Sequence, residues 1–260
     1  MITENPYFAF FHPSFISHLF LFLCGLAAGS FLNVLIHRLP RGEAIGFSRS
    51  HCPFCGHQLS ALELIPLLSF LWLRGKCRQC GRPISLRYPL VELLGGVVTV
   101  LWWIRFSGTT GKLVYLLLTY ALIGVAFIDL EHKIIPNRLT IPFLLGGLVF
   151  MAWKGQLLSA LIGGLLGGGI LFLIALCYPK GMGMGDVKLL AMIGVYLGWE
   201  RIFFVLFLAS LLATAVALLL IGTKKMTRKD PIPYGTFLAI AAFVILYFPD
   251  LPALFFPPVH

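Results

Sequence analysis

The sequence predicts an all-α polytopic membrane protein with about eight transmembrane helices and a small zinc-binding domain between the first two. Composition supports that class directly. Of the 260 residues, 59% are hydrophobic and 12% are charged, whereas a soluble domain has roughly 45–50% apolar and about 25% charged residues. Only a chain whose surface faces lipid needs so much apolar surface. A soluble enzyme, a disulfide-rich secreted domain and a disordered chain are therefore excluded.

Eight apolar runs supply the predicted transmembrane helices. A helix needs roughly 20 apolar residues to cross the hydrocarbon core, and the fourth and sixth runs are short enough to be tilted or re-entrant. Glu92 falls in the second run, where it is expected near the helix end or facing protein. An even number of spans places both chain ends on one side. The runs cover residues 15–36, 88–106, 113–130, 138–153, 157–177, 187–199, 201–221 and 235–250.

The basic residues predict which side of the membrane each connection faces. The formal net charge is +10, and sixteen of the twenty Lys and Arg residues fall in residues 37–87 and the other connections on that side. Connections rich in Lys and Arg stay in the cytoplasm, so both termini are predicted to lie outside. The first fourteen residues contain no Lys or Arg, which favours an uncleaved first span over a signal peptide. The charge thus records topology and contact with membrane lipid, and no nucleic acid partner is expected.

Four of the six cysteines form two C-x-x-C pairs in the cytoplasmic segment, each followed by glycine. The pairs are Cys52 with Cys55 and Cys77 with Cys80. Two such turns can direct four thiolates at one tetrahedral zinc ion. Two disulfides are disfavoured in the reducing cytoplasm, and a redox motif would need no duplicated pair. Four thiolates leave no position for water, so the predicted zinc is structural. Cys24 and Cys177 stand alone in apolar runs and are expected to pack there.

Two aspartates are predicted to lie at the cytoplasmic ends of two different spans. Asp129 ends the third run, and Asp186 opens the sixth after glycines at 181, 183 and 185. Two facing carboxylates share one proton, which suits activation of water for peptide hydrolysis. A transporter's proton relay is a second interpretation. A structural role is the third, with Asp186 capping its helix and Asp129 pairing with Lys133 or Lys188.

Several motifs, in the same order along nearly the whole chain, resemble those of the type IV prepilin peptidases, a family of membrane aspartic proteases. A first-span signature precedes the paired cysteines, and further motifs surround both aspartates. They read GSFLNVLIHRLP at 29–40, IPLLS at 65–69, ISLRYPLVEL at 84–93, IPN at 135–137, GMGMGDVKL at 181–189 and IPYGTFLA at 232–239.

The resemblance implies a bifunctional enzyme in the bacterial inner membrane. Asp129 and Asp186 would be the catalytic aspartates. They would cleave the basic leader from prepilins or pseudopilins of type IV pilus or type II secretion systems at the cytoplasmic face. The new N-terminal residue would then be methylated with S-adenosylmethionine. Glu131 is placed by position to meet a basic leader. Three domains follow: residues 1–36, a zinc-binding and methyltransferase domain at 37–87, and a peptidase domain at 88–260.

Two departures from the family pattern bear on this assignment. Residues 61–66 read ALELIP, where Trp and Asn are common before Ile-Pro, and Thr236 stands where Pro is common. The first departure lies in the segment credited with methyl transfer, so a peptidase without methyl transfer is an alternative. A proton-coupled carrier using the two aspartates is an alternative of another class. The sequence does not indicate which aspartate holds the proton, which residues bind the methyl donor, or the oligomeric state.

Overall fold

The structure is a computed structural model that describes residues 13–46, 49–178, 182–227 and 230–251. Regular structure in these residues is helical, with two isolated bridges and no strand. The predicted N-terminal exterior, Lys180 and Gly181, Arg228 and Lys229, and the tail beyond residue 251 lie outside the described residues. The helices are α1 Pro13–Arg38, α2 Leu68–Trp72, α3 Arg87–Arg105, α4 Lys112–His132, α5 Asn137–Trp153, α6 Leu157–Cys177, α7 Met184–Leu197, α8 Trp199–Gly222 and α9 Tyr234–Tyr247.

Each of the eight predicted runs coincides with one of these helices, and the all-α membrane class is confirmed. Five helices are long and apolar enough to cross a membrane by length and composition, namely α1, α3, α4, α6 and α8. The helices α5 and α9 are apolar but shorter, and α7 has 14 residues. The number of eight spans therefore stays a prediction.

The chain divides into two compact units, residues 1–120 and 121–260. In the first unit, α1 and α3 pack closely because glycines face each other. A Cβ on Gly29 would lie 2.7 Å from Cα of Glu92, and a Cβ on Gly95 would lie 2.9 Å from Cα of Gly29. Glu92 is buried near the start of α3, as the sequence predicts for a carboxylate in an apolar run.

In the second unit, α7 is almost entirely buried. Leu189, Leu190 and Met192 are fully enclosed, which explains why so short a helix is apolar. It packs against the glycine-rich α6, where a Cβ on Gly167 would lie 2.7 Å from the carbonyl oxygen of Leu190. Small residues in this way let two helices approach closely. The last turn of α4 and the first turns of α7 and α9 belong to this unit and carry the polar groups considered next.

Candidate functional site

Asp129 lies in the last turn of α4 and is 5% exposed. Its Oδ2 accepts a hydrogen bond from the backbone N–H of Thr236 at 2.8 Å, and the N–H of Gly235 donates to the same carboxylate. The Oγ1 hydroxyl of Thr236 lies 3.2 Å from this oxygen. The side chain is thus fixed against the first turn of α9, although α9 begins more than 100 residues later in the chain.

Asp186 lies in the first turn of α7, three residues after the extended Gly183. The backbone of Gly183 and its own N–H donate to its carboxylate. A Cβ on Gly183 would lie 3.1 Å from Oδ2, so glycine leaves room for the carboxylate to fold back over the start of its helix. This arrangement resembles the reciprocal half of a capping box.

The structure brings the two predicted aspartates together. Their carboxylates lie within electrostatic range of each other. Ile135 joins the elements that carry them, because Ile135 atoms lie 3.0 Å from a Cβ built on Gly185 and 2.5 Å from one built on Gly235. The first turns of α7 and α9 therefore both lie against the Ile135 side chain. Two carboxylates in electrostatic range of each other each make ionisation of the other less favourable.

Charged and polar groups surround the pair. Lys133 follows Asp129 by one turn and interacts with its carboxylate. Lys188 extends from α7 to Asn137 Oδ1, which its Nζ reaches at 3.0 Å. Glu131 is partly exposed beside His132, at 3.9 Å between Oε2 and Nε2. Of the two cations offered to Asp129 by the structural interpretation, Lys133 interacts with its carboxylate, whereas Lys188 binds Asn137.

A largely apolar groove of about 430 Å³ runs between α6, α8 and the start of α9. Leu171 and Ile174 of α6 line one wall, and Ala213 and Ala217 of α8 line the other. Tyr234 and Ser210 also line the groove, and the Tyr234 hydroxyl is 2.9 Å from Ser210 Oγ. Tyr234 also lies within electrostatic range of Asp186. The groove thus approaches the aspartate pair.

In the first unit, the structure gathers the four predicted cysteines. Their Sγ atoms all lie within 4.8 Å of one another, with Cys52 and Cys77 buried and Cys55 and Cys80 exposed. The Sγ separations are 3.9 Å for Cys52 and Cys80 and 4.0 Å for Cys55 and Cys77. Sulfurs bound to one tetrahedral zinc are about 3.8 Å apart, from a Zn–S distance of about 2.3 Å. The cluster therefore fits a metal ion.

The two cysteine turns have the same backbone hydrogen bond and the same glycine conformation. The N–H of Gly56 donates to Cys52 O at 2.9 Å, and the N–H of Gly81 donates to Cys77 O at 3.0 Å. Both glycines have a positive φ near 70°, a conformation that glycine adopts without steric cost. Backbone hydrogen bonds from Cys80 and Gln79 lower the pKa of Cys77 to about 6. A backbone hydrogen bond from His57 also lowers the pKa of Cys55, but desolvation and hydrogen bonds with the other three thiols outweigh it and raise that pKa to about 11. Of these two thiols, Cys77 is therefore the one available as the thiolate that metals bind.

Sequence reasoning assigned no role to three residues of the aspartate site: Ile135, Gly235 and Thr236. Each stands in a motif that carries the family resemblance. The signal was therefore present, but a motif does not show which backbone N–H meets which side chain. The prediction that the two aspartates lie close together needed only their positions at helix ends.

Comparison with known proteins places the chain among related sequences. Residues 23–106 match the Bacterial Peptidase A24 N-terminal domain, and residues 116–218 match the Type IV leader peptidase family. The chain is 41% identical to a prepilin leader peptidase/N-methyltransferase of Aeromonas hydrophila, covering 88% of this chain and 90% of that protein. Proteins of the same name from Stutzerimonas stutzeri and Pseudomonas aeruginosa are 38% and 36% identical, over 87% and 88% of this chain and 89% of each protein. No solved structure matches the chain.

Proposed function

This chain belongs to the type IV leader peptidase family, and from that premise we propose that it cleaves and N-methylates prepilins or pseudopilins in the bacterial inner membrane. Asp129 and Asp186 are the catalytic residues of the cleavage. The single observation that carries this assignment is the approach of the buried Asp129 carboxylate and the half-buried Asp186 carboxylate at the ends of separate helices.

The pair supplies the groups that peptide hydrolysis needs. The ionised carboxylate takes a proton from water as the water oxygen attacks the carbonyl carbon, and the neutral carboxyl gives its proton to the carbonyl oxygen. When the tetrahedral intermediate collapses, the C–N bond breaks and the amine leaves with the proton taken from water. The carbonyl forms again as the second carboxylate recovers its own proton, so the pair returns to its starting state.

The groove beside Tyr234 supports a membrane-embedded substrate. We assign it to the apolar segment that follows the prepilin cleavage site, because it leads to Asp186 and its walls are small or apolar side chains. The partly exposed Glu131 is placed to meet the basic leader. Cleavage at the cytoplasmic face, with both termini outside, follows from the distribution of Lys and Arg.

The cysteine cluster is assigned to a structural zinc ion held by Cys52, Cys55, Cys77 and Cys80. The segment between α1 and α3 contains only the five-residue α2 and two short 3-10 turns among its described residues. So small a segment has little core of its own, and metal coordination would hold its two cysteine turns together.

Methyl transfer is assigned to the segment that contains this cluster, within the proposed domain at 37–87. S-adenosylmethionine, when bound, supplies the methyl group. Two buried acceptors in the first unit, Asn33 Oδ1 and Glu63 Oε1, have no hydrogen-bond partner among the described residues. The domain at 88–260 carries the peptidase, and residues 1–36 form the N-terminal segment with the first transmembrane helix.

The test combines the purified protein in detergent, a prepilin and S-adenosylmethionine, with mass spectrometry of the pilin N-terminus. Cleavage is expected to fall about 100-fold or more in both Asp129→Asn and Asp186→Asn, and to persist in the control Asp250→Asn, whose carboxylate is exposed. Full cleavage by either aspartate variant contradicts the two-aspartate mechanism. Cleavage without an added methyl group favours the peptidase alone, and proton-coupled flux without cleavage favours a carrier.

A further inference from the structure

The first turn of α9 is capped by a side chain from another helix. The residue before α9 is Pro233, which makes no side-chain capping hydrogen bond. The first N–H groups of a helix have no partner within it and carry a partial positive charge. Here the N–H groups of Gly235 and Thr236 donate to the Asp129 carboxylate. Asp129 therefore acts as the N-terminal cap of α9, although it belongs to α4.

The Thr236 hydroxyl lies between the carboxylate and the backbone of α4. Oγ1 is 3.2 Å from Asp129 Oδ2 and 3.0 Å from the carbonyl oxygen of Ala126. A hydroxyl has one proton, so it donates to one of these oxygens at a time. Thr236 is 8% exposed, and its place between both oxygens limits rotation of the Asp129 side chain.

Asp186 has different surroundings. Its carboxylate is held by the backbone of its own turn, from Gly183 and Asp186, and it faces the Asp129 charge and the Tyr234 phenol. Lys188, the nearby cation of α7, reaches Asn137. Lys133 acts on Asp129. Burial disfavours negative charge on both carboxylates. At Asp129 the donors from a second helix and a nearby cation oppose this effect, whereas at Asp186 the like charge of Asp129 adds to it.

We propose that Thr236 is a positioning residue that holds Asp129 as the ionised member of the pair, so that Asp129 activates water and Asp186 carries the shared proton. The proposal rests on the proposed peptidase function. Asp129 accepts the proton of the attacking water, and Asp186 donates to the substrate carbonyl oxygen. The released amine leaves with the proton from Asp129, and Asp186 recovers its proton as the new carboxyl group forms.

The assignment gives the pH profile a definite direction. The base must be ionised, so cleavage falls at low pH as Asp129 gains a proton. Removing donors from Asp129 makes that protonation easier, and the acidic limb of the profile then moves to higher pH. A hydrogen bond from a hydroxyl to a charged carboxylate stabilises the charged form, and its loss is expected to move the acidic limb upward by about one pH unit.

Three substitutions separate the donors. Thr236→Val removes the hydroxyl and keeps the N–H, whereas Thr236→Ser keeps both. Thr236→Pro removes both at a position in the first turn of the helix, where proline is tolerated. Thr140→Val is the matched control, because Thr140 is 1% exposed and its hydroxyl reaches Pro136 O within its own helix turn.

The measurement is kcat and KM for prepilin cleavage across pH, with a thermal melt of each variant to verify folding. Thr236→Val is expected to lower kcat about tenfold at neutral pH with KM within about twofold, and to shift the acidic limb upward. Thr236→Pro is expected to shift it further, while Thr236→Ser and Thr140→Val retain the wild-type profile.

Two outcomes overturn the proposal. If Thr236→Val folds and keeps the wild-type acidic limb of the pH profile, the hydroxyl does not help to keep Asp129 ionised. If only the basic limb shifts, Asp129 is the acid and Asp186 is the base. Failure of the proposed function is distinguishable, because the wild-type protein itself would then leave the prepilin uncut.

Discussion

Ile135 occupies the space that a side chain on Gly235 would need. A Cβ on Gly235 would lie 2.5 Å from Cδ1 of Ile135 and 3.1 Å from Oδ2 of Asp129. The Ile135 side chain also packs against Gly185 at the start of α7. Contacts shorter than about 3 Å between carbon atoms are strongly repulsive, since the optimum separation is about 3.5–4.0 Å. A methyl group at position 235 would therefore displace the δ-methyl of Ile135 and press on the Asp129 carboxylate.

Gly235→Ala is accordingly expected to reduce prepilin cleavage about 100-fold, because displacing a catalytic group by about 1 Å has an effect of that order. The rate of cleavage and a thermal melt check it. Gly146→Ala is the matched control, since a Cβ on Gly146 meets nothing within 4 Å and alanine favours a helix over glycine. Wild-type cleavage by Gly235→Ala would show that Ile135 moves aside without disturbing Asp129.

Much of this site could be predicted because its parts are marked by side-chain type. Asp129 and Asp186 are carboxylates at the ends of apolar runs, and the cysteines pair at a spacing typical of zinc sites. The hydrogen bonds that Gly235 and Thr236 donate to Asp129 could not be predicted in the same way. Their donors are backbone N–H groups, which nearly every residue has, and Thr236 lies 107 positions from Asp129. Only the folded chain shows which N–H groups face the carboxylate.

The proposed zinc site predicts one zinc ion per chain by elemental analysis of the purified protein. Cys52→Ser is expected to lose it and to speed tryptic cleavage after the exposed Arg74 and Arg78, because the cysteine turns lose their common ligand and the backbone between them unfolds more readily. Cys177→Ser is the control, since this cysteine is exposed at the end of α6, outside the cluster. Absence of metal from the wild-type protein contradicts the site, and a stoichiometric metal other than zinc contradicts only its identity.

The proposed topology predicts opposite accessibility of two exposed positions, Glu43 and Gln156. In a background with Cys24 and Cys177 changed to serine, Gln156→Cys is expected to react in intact cells with a membrane-impermeant maleimide. Glu43→Cys is expected to add labelling above that of the background protein only after permeabilisation, because it lies in the segment rich in Lys and Arg and the exposed Cys55 and Cys80 remain in the background. Labelling of Glu43→Cys in intact cells would place this segment outside.

Glu92 anchors the segment between α1 and α3 to a membrane helix. Its side chain is 8% exposed, and Oε2 accepts the N–H of Leu67 at 2.9 Å. Leu67 has a φ of 59°, which is unfavourable for leucine and needs support from its surroundings. Because Leu67 immediately precedes α2, loss of this hydrogen bond is expected to loosen the start of that helix.

Glu92→Leu is therefore expected to speed tryptic cleavage after Arg74 about tenfold, since it leaves the Leu67 N–H without its acceptor. Methyl transfer should fall more than prepilin cleavage, because the aspartates belong to the second compact unit and Glu92 to the first. Glu92→Gln keeps an acceptor oxygen and the side-chain shape, so it is expected to stay close to wild type in both assays. Equal loss of methylation and cleavage in Glu92→Leu would mean that the two units do not carry separable activities.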